Sequence, residues 1–380
     1  MNKKPKIMFS NFKNNWKFFS FYNLANVFQS GGTPSTKEPS FWGGTIPWIQ
    51  SSDIQKDILF GVIPQKFISE EGLQNSSAKL IPKNSIAIVT RVGVGKLAII
   101  DQDYATSQDF LSLSDFNGDT QFIVYSIYRM LQKESTQLQG TSIKGITKED
   151  LLSKKISLPE IEEQSAVGSL FRTLDELLVS YKDNLTNYQS LKATMLSEMF
   201  PKAGQTVPEI RLEGFEGEWE RKSLSEVCTI NSGRDYKHLK DGDIPVYGTG
   251  GYMLSVNEKL SDEDAIGIGR KGTIDKPYLL SAPFWTVDTL FYVTCKVGYD
   301  LNYLFLIFQK VRWKKFDEST GVPSLSKKTI EKVVSKFPSL SEQQAIGAYF
   351  SNLDNLIAAH QDKISQLETL KKKLLQDMFI

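Results

Sequence analysis

Cysteine and histidine are almost missing from this chain, with two of each in 380 residues. So few thiols and imidazoles exclude a disulfide framework and leave no cluster with zinc-ligand spacing. Cys228 and Cys295 stand in strand-like contexts and are expected as buried thiols. No stretch of ~18 apolar residues occurs, so no membrane-spanning helix is expected. The basic start, Met1 to Lys6, is followed by neither an apolar run nor a small-residue cleavage site. A secretory signal is therefore not expected and a cytoplasmic location is. An excess of charge is missing too: 45 Lys and Arg against 44 Asp and Glu give +1, a poor footing for a nucleic-acid binder.

What is present is uneven. Residues 160–200 hold seven acidic and three basic residues, or −4, and residues 341–380 hold five and four, or −1; the remainder therefore carries +6. Apolar residues make up 40% and charged residues 23%, which fits a globular chain, and the length fits two or three domains.

The chain is written twice. Pro5, Ile7, Phe9, Phe12 and Trp16 match Pro208, Ile210, Leu212, Phe215 and Trp219 at a constant offset of 203. Ile46-Pro47 matches Ile244-Pro245 at 198, and Arg91 and Asp109 match Arg270 and Asp288 at 179. That last offset is expected to hold unbroken to the end. It aligns Gln164, Ala166, Gly168, Phe171, Leu174 and Asp175 with Gln343, Ala345, Gly347, Phe350, Leu353 and Asp354. Leu191-Lys192 and Met199-Phe200 find Leu370-Lys371 and Met378-Phe379 in the same way. Repeats of this kind define the architecture before any single motif does.

Each copy closes with a long helix. Val167, Phe171, Leu174, Leu178, Tyr181, Leu185 and Tyr188 fall at 4-3 spacing, as do Ile346, Phe350, Leu353, Ile357, His360, Ile364 and Leu367. That is the seam of a coiled coil, and a narrow apolar stripe on so long a helix needs a partner. The other copy's helix, packed antiparallel, is the economical choice. His360 is expected as a seam side chain, not a metal ligand. The globular parts show strand-like runs at 85–90, 97–100, 244–247, 265–269 and 289–294, with helical spacing near 120–132 and 303–310. The expected boundaries are a first domain at 1–155, a helix at 156–203, a second domain at 204–335 and a helix at 336–380. The fold class is α+β: two pseudo-repeated mixed α/β domains separated by two long helices packed as an antiparallel coiled coil.

Motifs for catalysis fail on their context. Gly267-Ile-Gly269-Arg-Lys-Gly272 satisfies a dinucleotide fingerprint, but Pro277 follows too soon for the required helix. Gly93-Val-Gly-Lys96 is too short for a phosphate-binding P-loop. No Asn-Pro-Pro-aromatic or Asp-Pro-Pro-aromatic stretch is present, as an amino-methyltransferase would carry. No catalytic residue and no metal ligand is assigned.

The tandem layout, the helix openings Leu158-Pro-Glu-Ile-Glu-Glu-Gln164 and Phe337-Pro-Ser-Leu-Ser-Glu-Gln343, the Leu-Lys and Met-Phe closings and Ile46-Pro47-Trp48 resemble one family. It is the specificity subunits of Type I restriction–modification systems. The resemblance implies two target-recognition domains, each reading half of an asymmetric bipartite DNA site, with the helices as a ruler. It implies two modification subunits held by the helices, which carry S-adenosylmethionine chemistry. Restriction subunits would use ATP and Mg, and this chain would hold no cofactor and catalyse nothing.

Candidate DNA contacts are Arg91 and Lys96 in the first domain and Arg270 and Lys271 in the second, in glycine-flanked loops. Gln50, Ser51, Ser52, Arg234, Tyr247 and Thr249 follow. The near-neutral charge predicts weak DNA binding by the chain without partners. Two alternatives stay open: an orphan or regulatory specificity subunit, and a coiled-coil interaction protein with no DNA role.

Overall fold

The computed structural model describes residues 4–137 and 145–380. The chain divides into two compact units, Met1–Tyr181 with Lys363–Ile380, and Lys182–Asp362. Each boundary cuts a long helix near its middle, because each domain packs on the start of its own helix and on the end of the other.

In unit 1, Ala25–Ser30, Phe110–Phe116, Ser85–Val89 and Leu97–Ile100 form, in that order, a four-stranded antiparallel sheet. Ser85–Val89 is buried at every residue, which explains its unbroken run of small and apolar side chains. Lys66–Ile68 and Ala105–Thr106 flank Trp42–Ile49 in a three-stranded sheet, the latter pair parallel. Lys17–Ser20 pairs with Lys155–Leu158, tying the domain's start to the strand that leads into its long helix. The principal helices are α1 (Thr120–Gln137) and the first part of α2 (Ile161–Glu198).

Unit 2 repeats this topology strand for strand. Cys228–Ser232, Leu290–Cys295, Ala265–Gly269 and Tyr278–Leu280 make the larger sheet. Gly251–Val256, Asp241–Gly248 and Trp285–Thr286 make the smaller one, and Glu220–Ser223 pairs with Val334–Phe337. Its principal helices are α3 (Leu301–Lys310) and the first part of α4 (Leu340–Met378). The helices expected over 156–203 and 336–380 thus start later, because a strand and then Pro159 or Pro338 come first. The residue before proline disfavours helical backbone.

The seam residues lie where the helices meet. In unit 1, Phe171 packs on Phe379 and Asp175 pairs with Lys371, so one number rises as the other falls and the pairing is antiparallel. In unit 2, Tyr188 meets His360 and Lys192 pairs with Asp354, again antiparallel. Val167, Phe171, Leu174, Leu178, Ile346, Phe350, Leu353 and Leu367 are buried, and Tyr181, Leu185, Tyr188, Ile357, His360 and Ile364 are half-buried. The 4-3 pattern runs on through Lys192 and Lys371, one seam lysine per helix at matching places. His360 donates from Nδ1 to the Leu356 carbonyl at 2.8 Å.

The repeated Gln and Gly have one structural cause. Gln164 donates to the Pro159 carbonyl (2.9 Å) and accepts from the Asp119 N–H (3.0 Å); Gln343 does the same with Pro338 (2.9 Å) and Asp300 (3.1 Å). Asp119 and Asp300 then cap α1 and α3 through the N–H groups of Phe122 and Tyr303, both at 2.8 Å. A Cβ at Gly168 would stand 2.7 Å from Asp119 Oδ1, and one at Gly347 would stand 2.6 Å from Asp300 Oδ1. Only glycine lets each cap approach its long helix this closely.

Beside the glutamines the two copies differ. In unit 1, Trp16 Nε1 donates to the buried Glu163 carboxylate at 3.2 Å, and burial raises that carboxyl's pKa. The folded state therefore holds this proton more tightly than the unfolded chain, whose glutamate ionises near pH ~4.3. Stability from this site is fullest below that pH and falls as pH rises through the folded value. Glu163→Gln, whose amide oxygen still accepts from Trp16, is expected to raise the urea midpoint at pH 7 and leave it nearly unchanged at pH 4. An unchanged or lower midpoint at pH 7 would contradict the assignment. In unit 2 the matching Glu342 is gripped by Arg211 at 2.8 and 2.7 Å, and Trp219 Nε1 is buried without a partner.

Cys228 stands directly opposite Cys295 across paired strands. Both thiols are free; Cys228 is buried as expected but Cys295 is only half-buried, and burial pushes each up to about 12. Among the described residues no group of three or more His, Cys, Asp or Glu could hold a metal ion, and no helix is long and apolar enough to cross a membrane.

Candidate nucleic-acid interface

The first domain's extra length falls where contacts are expected. Trp42–Ile49 and Lys66–Ile68 are joined by residues 50–65, whereas the matching strands in unit 2 are joined by Thr249 and Gly250 alone. Gln50, Ser51 and Ser52 open the long connection. Lys96 Nζ donates to the Ser51 carbonyl at 3.1 Å, so the structure unites this group with the 90–96 hairpin. That hairpin turns on Gly93 (φ +88°) and Gly95 (φ +90°), left-handed conformations that disfavour other residues. Ser52 Oγ lies 3.4 Å from Asp53 Oδ1, and the Gln50 N–H donates to Asp53 Oδ2 at 3.0 Å. Arg91 is exposed beside Lys96, and both line a cleft of about 400 Å³.

Two lysines that drew no attention in the sequence join this surface. Lys66 donates to Gln50 Oε1 at 3.3 Å and stands 5.9 Å from the ring centroids of both Trp42 and Trp48. Lys56 lines the same cleft as Arg91. A lone lysine in a connection or at a strand start carries no sequence signal, and only the fold brings these to one place.

In unit 2 the groups fall differently. Arg234 and Tyr247 both meet the short strand Trp285–Thr286: the Arg234 N–H donates to Thr286 O (2.8 Å), and Tyr247 stands opposite Thr286. Thr249 lies next to Gly272, whose added Cβ would be 3.8 Å from the threonine Oγ1. Exposed Tyr252 and Met253 extend this hairpin tip and were not singled out in the sequence. Lys271 is exposed. Arg270 turns its guanidinium back over the Phe291 ring (5.9 Å) and towards Asp288 O (3.5 Å).

Main-chain pairing corrects the alignment at this point. Thr90 donates to Asp109 O and accepts from the Ile146 N–H; Arg270 donates to Thr289 O and accepts from the Leu325 N–H. Arg270 therefore takes the place of Thr90, Lys271 that of Arg91, and Thr289 that of Asp109. The offset is 180 in these strands and 181 at the caps Asp119 and Asp300, returning to 179 at Gln164 and Gln343. Short compensating insertions hide from a comparison that rewards identity.

The two units carry equivalent frames with different surfaces, and comparison with known proteins bears on what such frames are. The model of the Type I restriction modification DNA specificity domain matches the chain twice, over residues 13–187 and 216–369. The Type I restriction enzyme MjaIX specificity subunit of Methanocaldococcus jannaschii is 24% identical over 225 residues, 53% of this chain and 49% of that one. The EcoR124I/EcoR124II specificity subunit of Escherichia coli is 32% identical over 166 residues, 41% of this chain and 40% of that one. The chain thus matches about half or less of these curated relatives' length. A solved Type I restriction–modification S subunit from M. genitalium shares the fold, with a TM-score of 0.72 over 100% of this chain and 99% of that one at 19% identity. With most of each repeat inside a matched domain, the chain belongs to the family of Type I restriction modification DNA specificity proteins.

Proposed function

We propose that this chain is the DNA sequence-recognition subunit of a Type I restriction–modification enzyme and is itself non-catalytic. Each unit reads one half of an asymmetric, bipartite duplex site. The observation that carries this is the pair of units with identical strand order but different contact surfaces, since one frame with two faces suits two unlike half-sites. At ~1.5 Å per residue the 38 residues of α2 measure about 57 Å, ample to span one ~34–36 Å turn of DNA. Joining two readers on one chain raises the local concentration of the second once the first is bound.

The helices dock two modification subunits, which supply the S-adenosylmethionine chemistry, and restriction subunits supply cleavage with ATP and Mg. The near-neutral charge supports a division in which those partners carry much of the phosphate-binding surface.

The test is adenine-methylation mapping of genomic DNA after co-expression with the modification subunit. The expected result is a bipartite motif that appears only when this chain is present. A well-formed complex with no new methylation would replace this reading with a regulatory role. Absence of any complex would replace it with a coiled-coil adaptor.

A further inference from the structure

We infer that the cleft beside the 90–96 hairpin of unit 1 seats a backbone phosphate of the DNA, held by Lys56, Arg91 and Lys96. This rests on the DNA-reading role proposed above and adds to it a site, a ligand group and a division of labour.

The cleft measures about 400 Å³, and three cations line it against one acid, Asp57. That acid is already engaged: its Oδ1 accepts from the Tyr128 hydroxyl at 2.7 Å. Among the described residues none of the three cations forms an ion pair. Lys96 spends one N–H on the Ser51 carbonyl and keeps two for an anion. Leu59, Leu97 and Leu131 form an apolar wall. Three cations against one carboxylate leave the cleft net positive, and a concave site of net charge against low-dielectric walls draws in an opposite charge.

The lining chemistry selects the ligand. Three donors of fixed positive charge want a group with several acceptor oxygens and a negative charge, which is a phosphodiester. Lysine ammoniums are rotatable point charges suited to phosphate. The leucine wall accommodates the flanking sugar. Contacts of this sort fix the position of a duplex without reading it. The cleft therefore sets where unit 1 sits on the backbone, while the 50–52 segment next to it is left to face the bases.

The test uses the assembled complex with its modification subunits. Binding of a fluorescent duplex carrying the mapped motif, and of one with the first half-site scrambled, is followed by anisotropy from 50 to 300 mM salt. Lys56→Ala with Arg91→Ala removes two exposed side chains and leaves the Lys96–Ser51 bond intact; a triple variant adds Lys96→Ala. Loss of one phosphate contact is expected to lower the salt slope by about 0.9, roughly an eightfold weakening at 0.1 M. Both duplexes should weaken by the same factor, with the methylated motif unchanged.

An unchanged slope in the triple variant would overturn the inference. So would a loss confined to the intact motif, which would make these side chains base readers. A wild-type complex that prefers neither duplex would instead sink the recognition reading, and the slope would still report on the cleft.

Discussion

Phe379→Ala is expected to cost unit 1 about 3–5 kcal/mol, the range for removing a buried aromatic side chain. Phe379 is 5% exposed and lies against three rings from distant parts of the chain. It stacks on Phe122 (5.2 Å), tilts against Phe171 (5.4 Å) and meets Trp16 edge-on (6.3 Å). These rings come from the domain's entry segment, from α1 and from α2, so the end of α4 joins the domain core rather than resting on it. The matching Phe200 in unit 2 meets Trp219 (5.9 Å), Tyr303 (5.5 Å) and Phe350 (6.4 Å). Urea unfolding followed by tryptophan fluorescence should show the loss, and Phe379→Leu should recover about half. A cost under ~1 kcal/mol would mean that the helix end is not part of the core.

Arg211→Ala should be nearly as damaging, and by a different route. Glu342 is 1% exposed, and Arg211 holds its carboxylate through two N–H donors while also donating to the carbonyls of Glu216 and Gly217. Removing the guanidinium strands a buried charge and frees the 211–217 segment. Breaking one side of such a pair costs about 3–5 kcal/mol.

Unit 1 shows the remedy, since Met8 occupies the matching place and Glu163 serves Trp16 instead. Arg211→Met with Glu342→Gln is expected to recover most of the loss, because the amide oxygen can take the otherwise unpartnered Trp219 N–H. If the double variant is no more stable than Arg211→Ala alone, the stranded charge is not the source of the damage.

Much of the fold is legible in the sequence because it depends on local periodicity. The 4-3 spacing of Val167 to Tyr188 already places those side chains on one face, whatever the partner. The strand at 85–89 announces itself by an unbroken apolar run, and the doubled chain by its repeated Gln, Gly and Phe. The candidate contacts are less legible. Gln50, Ser51 and Lys96 do come together, but Lys56 in the connection and Lys66 at the start of a strand are unremarkable lysines until the long connection folds beside the hairpin. Identity aligns Arg270 with Arg91, one residue out of step with the backbone pairing that matches it to Thr90.

By itself, the sequence determined that this protein consists of two copies of one domain, each closed by a long helix whose narrow apolar stripe needs a partner. The spacing of like residues carries that information and needs no knowledge of distant neighbours. Tertiary structure alone decided that Asp175 meets Lys371 and Asp354 meets Lys192, that Phe379 completes the core of unit 1, and which lysines share the cleft. Each of these is a meeting of groups far apart in the chain, chosen by packing and by the need to satisfy buried charge, and no local pattern encodes such a choice.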